Sequence, residues 1–483
     1  MIANLTTPLI GIVSTIAIGR LGDATLLGGV AIASVIFDCL FWLFAFLRMS
    51  TVAFTAQALG AGELQEIRAQ LVRGLIIAAL IGACLIALQV PLAAILLDAM
   101  GGSDGVTRAA RTYFAIRIWS APLALANYVV LGWLIGQARA TLALGVQIAI
   151  NLINMAATIL LVLVLDAGIG GAALAAVIAE AGGLSLGILI AWRLTQASAP
   201  LERAALFDRT KLLRMLAVNR DIMIRTAALI TAFLFFTAQG ARSGDVILAA
   251  NAVLNNFLLI SAFFLDGLAN AAEQLCGRAY GARNHIAFAS AVRLVIRWGF
   301  GIALMVASVF ALFDPTLIDV MTASADVRQH ARDYLWFVVL APLPGVFAFA
   351  YDGIFIGATW AREMRNLMVL SLLIPRHLVC AAIVRQYRAV GGHADALCCA
   401  RRAAGAALSG DAAGFVPAST IARLNLENAS DAIAICRLRR RLGLRRPVQH
   451  LLSCQRRKGQ FPDRLRRLVA AGVKAAGYRA RRY

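Results

Sequence analysis

Two stripes of polar side chains run through segments that are otherwise apolar. The first lies in a predicted fifth membrane span and consists of Gln147, Asn151, Asn154 and Thr158. The second lies in a predicted eighth span and consists of Asn251, Asn255, Asp266, Asn270 and Glu273. At 3.6 residues per turn each set falls on one side of a helix. Without water, such a side must contact another helix or line a watery cavity.

The two stripes differ in that only the second contains carboxylates. Hydrogen bonding between helices and lining of a cavity remain equally open for the stripe of the fifth span, because it carries only neutral groups. Asp266 and Glu273 favour a functional cavity in the eighth, since an ionisable group costs several kcal/mol to desolvate. Asp38, Glu180 and Asp352 each stand alone in an apolar run. Each is either paired with backbone or a nearby arginine, or a candidate for carrying a proton across the membrane.

The composition identifies an integral membrane protein. Of the 483 residues, 61% are hydrophobic and 15% are charged, whereas soluble domains carry about 25% charged residues. The apolar runs are continuous, close to the roughly 20 residues of a spanning helix, and lack the alternation of barrel strands. No positively charged segment precedes the first run, so no secretory signal is predicted.

Ten apolar runs and the start of an eleventh are predicted to span the membrane. They cover residues 1–19, 27–47, 74–97, 113–135, 141–165, 170–192, 223–240, 247–275, 289–312 and 333–357, and the eleventh begins near residue 366. Loops after even-numbered spans carry most of the arginines, and loops after odd-numbered spans carry mainly aspartates. The positive-inside rule therefore predicts that the even-numbered loops and the N-terminus are cytoplasmic.

The sequence repeats itself at an offset of 221 residues. "AARTYFAIRI" from Ala109 matches "HARDYLWFVV" from His330, and "GWLIGQA" from Gly132 matches "GIFIGAT" from Gly353. Because the offset spans six helices, both copies run in the same direction across the membrane. The repeat predicts an all-α polytopic membrane protein with two six-helix lobes around a central cleft, the arrangement of an alternating-access transporter.

The predicted spans divide the chain into four parts. Lobe 1 covers residues 1–193 and begins inside its first helix, and a cytoplasmic linker follows at residues 194–222. Lobe 2 covers residues 223–374 and holds helices seven to ten and the start of helix eleven. Residues 375–483 form a basic tail that is predicted to be frameshifted or disordered.

No motif of a soluble enzyme occurs in the chain. It has no G-x-x-x-x-G-K-[ST] segment for ATP and no Cys/His spacing typical of a metal site. No catalytic residue, bound metal or cofactor is therefore predicted, and the protein is not expected to be an enzyme or to bind nucleic acid.

Five segments resemble the DinF-like branch of the multidrug and toxic compound extrusion (MATE) family. They are "ANLTTPLIGIVSTIAIGRLGD", "FLRMSTVAFTAQALGAG", "AVNRDIMIR", "FFLDGLANAAEQLCGRAYGAR" and "YDGIFIGATWAREMRN". The resemblance covers residues 1 to about 374 and implies twelve helices in two six-helix lobes. It also implies export of small organic, often cationic, compounds against an inward flow of protons or sodium.

Two positions depart from the family pattern. Ser14 stands where an aspartate is usual in the first helix, and Thr158 stands where one is usual in the fifth. Neither side chain carries a proton at accessible pH, so coupling through lobe 1 is expected to be weak or rerouted. Asp38 is an acid where the family pattern does not lead us to expect one. The residues that match the pattern are Asn154, Glu180, Asp266, Glu273 and Asp352.

These observations predict a DinF-like MATE antiporter, with impaired coupling, in the inner membrane of a bacterium. The coupling candidates are Asp266, Glu273, Asn154, Glu180, Asp38 and Asp352, and the candidates for lining the cleft are Gln147, Asn151, Thr158, Asn251, Asn255 and Asn270. Three alternatives remain open: a flippase for lipid-linked oligosaccharides, which would need a more cationic cleft, a non-functional membrane remnant, and a basic tail that binds nucleic acid or anionic lipid.

The tail differs in composition from everything before it. Residues 1–374 hold 24 Lys+Arg and 20 Asp+Glu, whereas residues 375–483 hold 22 Lys+Arg and 5 Asp+Glu. Pro375 interrupts the eleventh apolar run, and arginines, which cost about 2.5–3.5 kcal/mol each at mid-membrane, interrupt every later one. A composition rich in Arg, Ala and Cys with little Lys is typical of a GC-rich gene read out of frame. An appended cytoplasmic domain is the rival interpretation.

We expect the nucleotide sequence after codon 374 to contain the two missing spans in another reading frame. Translation of the other two frames should give, in one of them, two apolar segments of about 20 residues joined by a short loop. Early stop codons in both frames would exclude the frameshift.

Overall fold

Helices make up the described part of the chain. The computed structural model describes residues 17–19, 23–196, 202–242, 245–322 and 324–373, and no strand occurs in these ranges. The helices are α1 Ala24–Leu43, α2 Phe46–Ala61, α3 Leu64–Ala87, α4 Gln89–Met100, α5 Asp104–Arg117, α6 Ala121–Gly136, α7 Ala140–Thr158, α8 Gly168–Thr195, α9 Arg203–Leu206, α10 Arg209–Arg242, α11 Asp245–Gly281, α12 His285–Met321, α13 Ala325–Leu340, α14 Pro342–Gly357 and α15 Ala361–Leu373. Ser14, most of the first predicted span and the tail from residue 375 lie outside the described residues.

Most of the predicted spans coincide with helices long enough to cross a membrane. In the described residues seven helices or continuous helix pairs have the required length and composition, and α13 with α14 makes an eighth if this bent pair is one span. These eight correspond to predicted spans two to six and eight to ten. The predicted seventh span, residues 223–240, lies within α10. This span also contains Arg225. The chain is therefore a multi-pass membrane protein.

Two spans are broken near prolines. A 3-10 turn at Ile118–Ser120 separates α5 from α6, and Pro122 stands in the first turn of α6. The axes of α13 and α14 differ by 48°, and α14 begins at Pro342. Proline has no N–H for the helical ladder and fits best in a first turn, so each of these two runs continues as a new helix.

The helix bounds confirm the internal repeat. Adding 221 to the bounds of α6, residues 121 and 136, gives 342 and 357, the bounds of α14. Adding 221 to the first residue of α3 and the last of α4, 64 and 100, gives 285 and 321, the bounds of α12. Adding 221 to the bounds of the pair α1–α2, 24 and 61, gives 245 and 282, within one residue of the bounds of α11, 245 and 281. The two lobes thus share one helical plan, as the sequence predicted.

Glycines hold the corresponding helices of each lobe in backbone contact. A Cβ atom on Gly132 would lie 2.6 Å from the Arg48 carbonyl oxygen, and one on Gly353 would lie 2.3 Å from that of Ala269. One turn further along, a Cβ atom on Gly136 would lie 2.8 Å from the Val52 carbonyl oxygen. One on Gly357 would lie 2.5 Å from the Glu273 carbonyl oxygen. Each residue of the second lobe is numbered 221 above its counterpart. Small residues at such crossings allow helices to pack closely in a membrane.

The linker between the lobes is shorter than predicted. Helix α10 begins at Arg209, inside the segment 194–222 that was predicted to be linker. The reason is an apolar helix face, because Met215, Val218 and Ile222 recur at helical spacing and are buried in the same cluster as the core of lobe 1. Residues 209–222 therefore extend the seventh helix.

A buried arginine fixes the linker to lobe 1. Arg73 on α3 is 1% exposed, and its Nη1 lies 2.6 Å from Glu66 Oε1. It also donates hydrogen bonds to the carbonyl oxygens of Ala205 and Leu206. Lys211 Nζ donates to Glu66 Oε2 at 2.8 Å, and this bond raises the pKa of Lys211. A raised lysine pKa stabilises the fold at every pH below the unfolded value, near 10.5, so this connection is intact under physiological conditions.

We predict that Gly353→Ala destabilises the protein whereas Gly301→Ala does not. A Cβ at residue 353 meets the Ala269 carbonyl oxygen, and overpacking of this kind costs about 1–3 kcal/mol. A Cβ at residue 301, also in a helix, meets no atom within 4 Å. Thermal unfolding of the purified protein in detergent should show a lower midpoint for Gly353→Ala alone. Equal midpoints for the two variants would contradict the contact.

Candidate functional site

A cluster of charged side chains lies in lobe 2 where three helices meet. Asp266 and Glu273 belong to α11, Asp352 to α14 and Arg225 to α10. Glu273 is 3% exposed, and the charges that act on it are those of Arg48, Asp352, Asp266 and Arg225. The structure therefore brings together three acids that the sequence predicted as coupling candidates. We call Asp266, Glu273, Asp352 and Arg225 the lobe-2 cluster.

Backbone contact between α14 and α11 positions this cluster. Gly353 and Gly357 pack against the carbonyl oxygens of Ala269 and Glu273. Asp352 precedes Gly353, so its carboxylate is held beside the face of α11 that carries Asp266. A larger residue at either glycine would separate the helices and the acids on them.

Asp352 forms an ion pair with Arg225. Arg225 Nη2 donates a hydrogen bond to Asp352 Oδ1, and both side chains are largely buried. Of the two interpretations of Asp352 left open by the sequence, the structure thus favours pairing with an arginine. The carboxylate of Asp352 is therefore occupied by a partner, whereas Glu273 Oε2 has none among the described residues.

Several buried polar atoms around the lobe-2 cluster have no hydrogen-bond partner among the described residues. On α11 they are Glu273 Oε2 and Gln274 Nε2, and on α10 they are Arg225 Nε, Thr226 Oγ1 and the amide group of Asn219. Ser50 Oγ and Thr55 Oγ1 of α2 belong to the same group. Buried polar groups are almost always satisfied by protein or ordered water. Ordered water is therefore expected to bind these atoms.

A second cluster lies in lobe 1 and contains the predicted acid Glu180. Asn127 Nδ2 on α6 donates to the backbone oxygen of Glu180 at 2.9 Å and to its Oε2 at 2.8 Å. Arg117 acts on Glu180 and on Asp38, and its guanidinium lies 5.6 Å from the ring centre of Phe41. Asp38 itself is exposed on α1. In lobe 1 the charge of Arg117 thus acts on both acids, whereas in lobe 2 Arg225 forms a direct ion pair with Asp352.

The polar stripe of the fifth span is divided between different environments. Within α7, Gln147 Nε2 donates a hydrogen bond to Asn151 Oδ1 at 3.1 Å. Asn154 is half-buried. Thr158 is buried, and its Oγ1 has no hydrogen-bond partner among the described residues. A π-helical turn, Ile159–Val164, follows directly, and such turns are frequent at functional sites. On α11 the predicted lining residues Asn251, Asn255 and Asn270 are half-buried.

Sequence reasoning missed the basic and amide partners of the acids. Arg225 lies inside the predicted seventh span. Arg117 lies inside the predicted fourth span, and Asn127 lies in the same span, ten residues after Arg117. Their signal was present, because an arginine within a span is itself a reason to expect a partner. The described residues contain no group of three or more His, Cys, Asp or Glu side chains arranged to bind a metal.

Comparisons with known proteins agree with this architecture. The family profile described as MatE matches residues 1–160 and 222–381. The DNA damage-inducible protein F of Escherichia coli is 39% identical over 372 residues, which are 76% of this chain and 81% of that protein. A probable multidrug resistance protein NorM of Rhizobium meliloti is 26% identical over 64% of this chain and 68% of its own.

Solved structures share the fold at lower identity. A transporter of the MOP superfamily from Pyrococcus furiosus, described as having a reversed polarity of its binding pocket, superposes with a TM-score of 0.73 at 20% identity. The match covers 86% of this chain and 92% of that one. The outward-facing conformation of a multidrug resistance MATE transporter gives a TM-score of 0.70 at 20% identity, over 88% and 94% of the two chains.

We predict that Arg225 and Asp352 are energetically coupled. Arg225→Leu or Asp352→Leu alone leaves a buried charge unpaired and should cost about 3–5 kcal/mol, while the double variant should cost much less than the sum. Unfolding of the purified single and double variants measures the coupling. The partly exposed pair Arg332–Asp319, at 2.6 Å, is the control and should contribute about 0–1 kcal/mol. Additive losses at Arg225 and Asp352 would contradict the prediction.

Proposed function

The chain belongs to the MatE family, and on this basis we propose that it exports small organic compounds by antiport against protons or sodium ions. Membership of the family supports a multi-pass transporter with efflux activity rather than an enzyme. The antiport, its coupling ion and the substrate are our proposal. The observation that carries it is Glu273, a buried carboxylate with one oxygen unpartnered among the described residues and with Asp266 close enough to act on it.

Glu273 has the surroundings that a coupling group requires. Its charged form is costly in a buried site, and binding of a proton or a sodium ion removes or offsets that charge. Arg48, Asp352, Asp266 and Arg225 are its charged neighbours. A change in lobe arrangement that moves these neighbours changes the affinity of Glu273 for a proton or a sodium ion. An ion that binds one arrangement better than the other drives the transporter between them.

The lobe-1 cluster is a less favoured coupling site. Glu180 is held by Asn127 and acted on by Arg117, while Thr158 offers a hydroxyl where the family pattern has an aspartate. We propose that coupling therefore runs mainly through lobe 2. The same argument keeps Asn154 and Asp38 as secondary candidates.

The substrate would bind between the lobes, where α2, α10 and α11 carry the unpartnered polar atoms. When all groups are ionised, the three carboxylates of the lobe-2 cluster carry one more charge than Arg225 and Arg48 together. The cluster and its surroundings then have a small net negative charge. This balance favours cationic organic compounds over the anionic headgroups that a lipid-linked oligosaccharide flippase handles. The arginine-rich even-numbered loops support an inner-membrane orientation with a cytoplasmic N-terminus.

We predict that Glu273→Gln and Asp266→Asn each reduce proton-driven export about tenfold or more, because each removes a carboxylate that we propose for coupling, and coupling free energies are typically about 1–3 kcal/mol. Binding of the substrate at equilibrium should change less than export does. The assay is efflux of a fluorescent organic cation from proteoliposomes under an imposed pH or sodium gradient.

Asp326→Asn is the matched control, since Asp326 is an exposed acid at the start of α13. Unchanged export and unchanged pH dependence in both cluster variants would refute the assignment. An inactive parent protein under both gradients would instead support the non-functional remnant.

A further inference from the structure

One face of α12 carries two arginines that have no counterpart in lobe 1. Arg293 and Arg297 are one turn apart, and both are exposed. The repeat offset of 221 places Val72 and Ile76 of α3 at the same two positions. An arginine is costly on a helix surface that faces hydrocarbon, and it is rare there unless a partner offsets its charge. The two lobes therefore differ on this face by two positive charges.

Exposure shows that this face is on the outside of lobe 2. The buried residues Val295 and Ala303 lie on the opposite side of α12, since at 100° per residue Val295 is about 160° from Arg297. On the side of Arg297, Trp298 is 65% exposed and Leu304 is 60% exposed. Because α12 is long and apolar enough to cross a membrane, this exposed surface contacts lipid.

The corresponding helix of lobe 1 exposes the same face. Helix α3 packs against α2 and α6, and α12 packs against α11 and α14, which are their counterparts in the repeat. Ile76 is 40% exposed on α3, although α7 and α8, the fifth and sixth helices of lobe 1, are in place. The position of Arg297 thus lies on the outer surface of a lobe in both copies of the fold.

Neither arginine has an acidic partner among the described residues. Arg293 donates only to its own preceding turn, to the Ala289 carbonyl oxygen at 3.3 Å and to Ser290 Oγ at 3.5 Å. Arg297 forms no hydrogen bond or ion pair within the described ranges. The first half of α12, residues 285–300, contains no aspartate or glutamate. Both charges are therefore available to a ligand from the bilayer.

The two side chains extend toward the predicted cytoplasmic surface. Helix α12 begins at His285, after the eighth span, and loops after even-numbered spans are predicted to be cytoplasmic. Cα–Cβ bonds of a helix tilt toward its N-terminus, and the hydrogen bonds of Arg293 to the preceding turn have the same direction. The Cα of Arg297 lies about 12 Å beyond residue 289, where the predicted span begins. From this depth a long arginine side chain extends to the headgroups of the nearer leaflet.

We propose that Arg293, Arg297 and Trp298 form a binding site for the headgroup of an anionic phospholipid in the cytoplasmic leaflet. A guanidinium binds a phosphate with two parallel N–H donors, and a second guanidinium one turn away adds charge that favours an anionic headgroup. The same two charges repel the amine cation of a zwitterionic lipid. The proposal does not depend on the transport function proposed above.

The residues beside the arginines fit the rest of such a lipid. Trp298 has an apolar ring for the upper part of an acyl chain and an N–H for the headgroup region, the arrangement for which tryptophan is enriched at membrane surfaces. Gly301 follows Arg297 by one turn on the same face, and a Cβ atom there would meet no atom within 4 Å. The helix surface below the two arginines therefore leaves room for a chain to lie against the backbone.

Quenching of Trp298 fluorescence tests the site in the full chain. The protein is reconstituted in mixed vesicles of phosphatidylcholine and phosphatidylglycerol, in which one lipid or the other carries bromine on its acyl chains. The contribution of Trp298 is the difference between the parent protein and Trp298→Phe. Brominated phosphatidylglycerol should quench this contribution severalfold more strongly than the same mole fraction of brominated phosphatidylcholine. Equal quenching by the two lipids would overturn the proposal without any need for an arginine variant.

The arginine variants are matched to lobe 1. Arg293→Val and Arg297→Ile install the residues that α3 has at these positions, so both should fold. Each should reduce the preference for phosphatidylglycerol about fivefold, the loss expected for one basic residue at an anionic surface, and the double variant should abolish it.

Arg283→Gln is the control, because it removes the same charge from an exposed residue in the turn between α11 and α12. It should keep the preference for phosphatidylglycerol. An unchanged preference in the double variant would reject Arg293 and Arg297 as the site. An equal loss in Arg283→Gln and Arg297→Ile would also overturn the proposal, since it would show a general attraction of lipid to the basic surface.

Discussion

Close backbone contact between α14 and α11 is the constraint on which the charged cluster depends. In a membrane, helices gain little from apolar burial against one another, so close packing and polar contacts decide where they cross. Gly353 and Gly357 allow that approach, because each lies against a carbonyl oxygen of α11. The crossing fixes Asp352 beside Asp266 and Glu273, and Arg225 reaches the same point from α10. The acids are therefore neighbours because of residues that carry no charge.

The repeat supplies the scaffold of this arrangement but not its chemistry. Val52 of lobe 1 corresponds to Glu273 of lobe 2, and Arg48 corresponds to Ala269, since each pair differs by 221 in number. Both positions contact a glycine of the neighbouring helix in the same way. At these two positions lobe 1 thus has Arg48 and the apolar Val52. Lobe 2 has Ala269 and the acid Glu273. The asymmetry explains how two similar lobes can have different roles in a cycle.

The sequence predicted features that depend on local pattern and missed those that depend on pairing between distant residues. Helical periodicity identified Asp266 and Glu273 as one face, and the offset of 221 predicted that the two lobes share one helical plan. The partner of Asp352 was not predictable in this way, because Arg225 is 127 residues away and only the packing of α10 brings them together. The start of α10 at Arg209 was missed for a similar reason, since Met215, Val218 and Ile222 form a helix face whose partners are distant in the chain and come from both lobes.

Glu273 belongs both to the lobe-2 cluster and to the helix face along which α11 packs against its neighbours. Residues four apart share a helix face, so Glu273, Gly277 and Gly281 follow one another along the side of α11 that approaches α2 and α14. Glu273 also contributes its own carbonyl to the contact with Gly357, the residue whose carbonyl accepts the bond from Gln57. The carboxylate that we propose as the coupling group therefore lies in the same stretch of α11 that packs against α14 and, at Gly277, against α2.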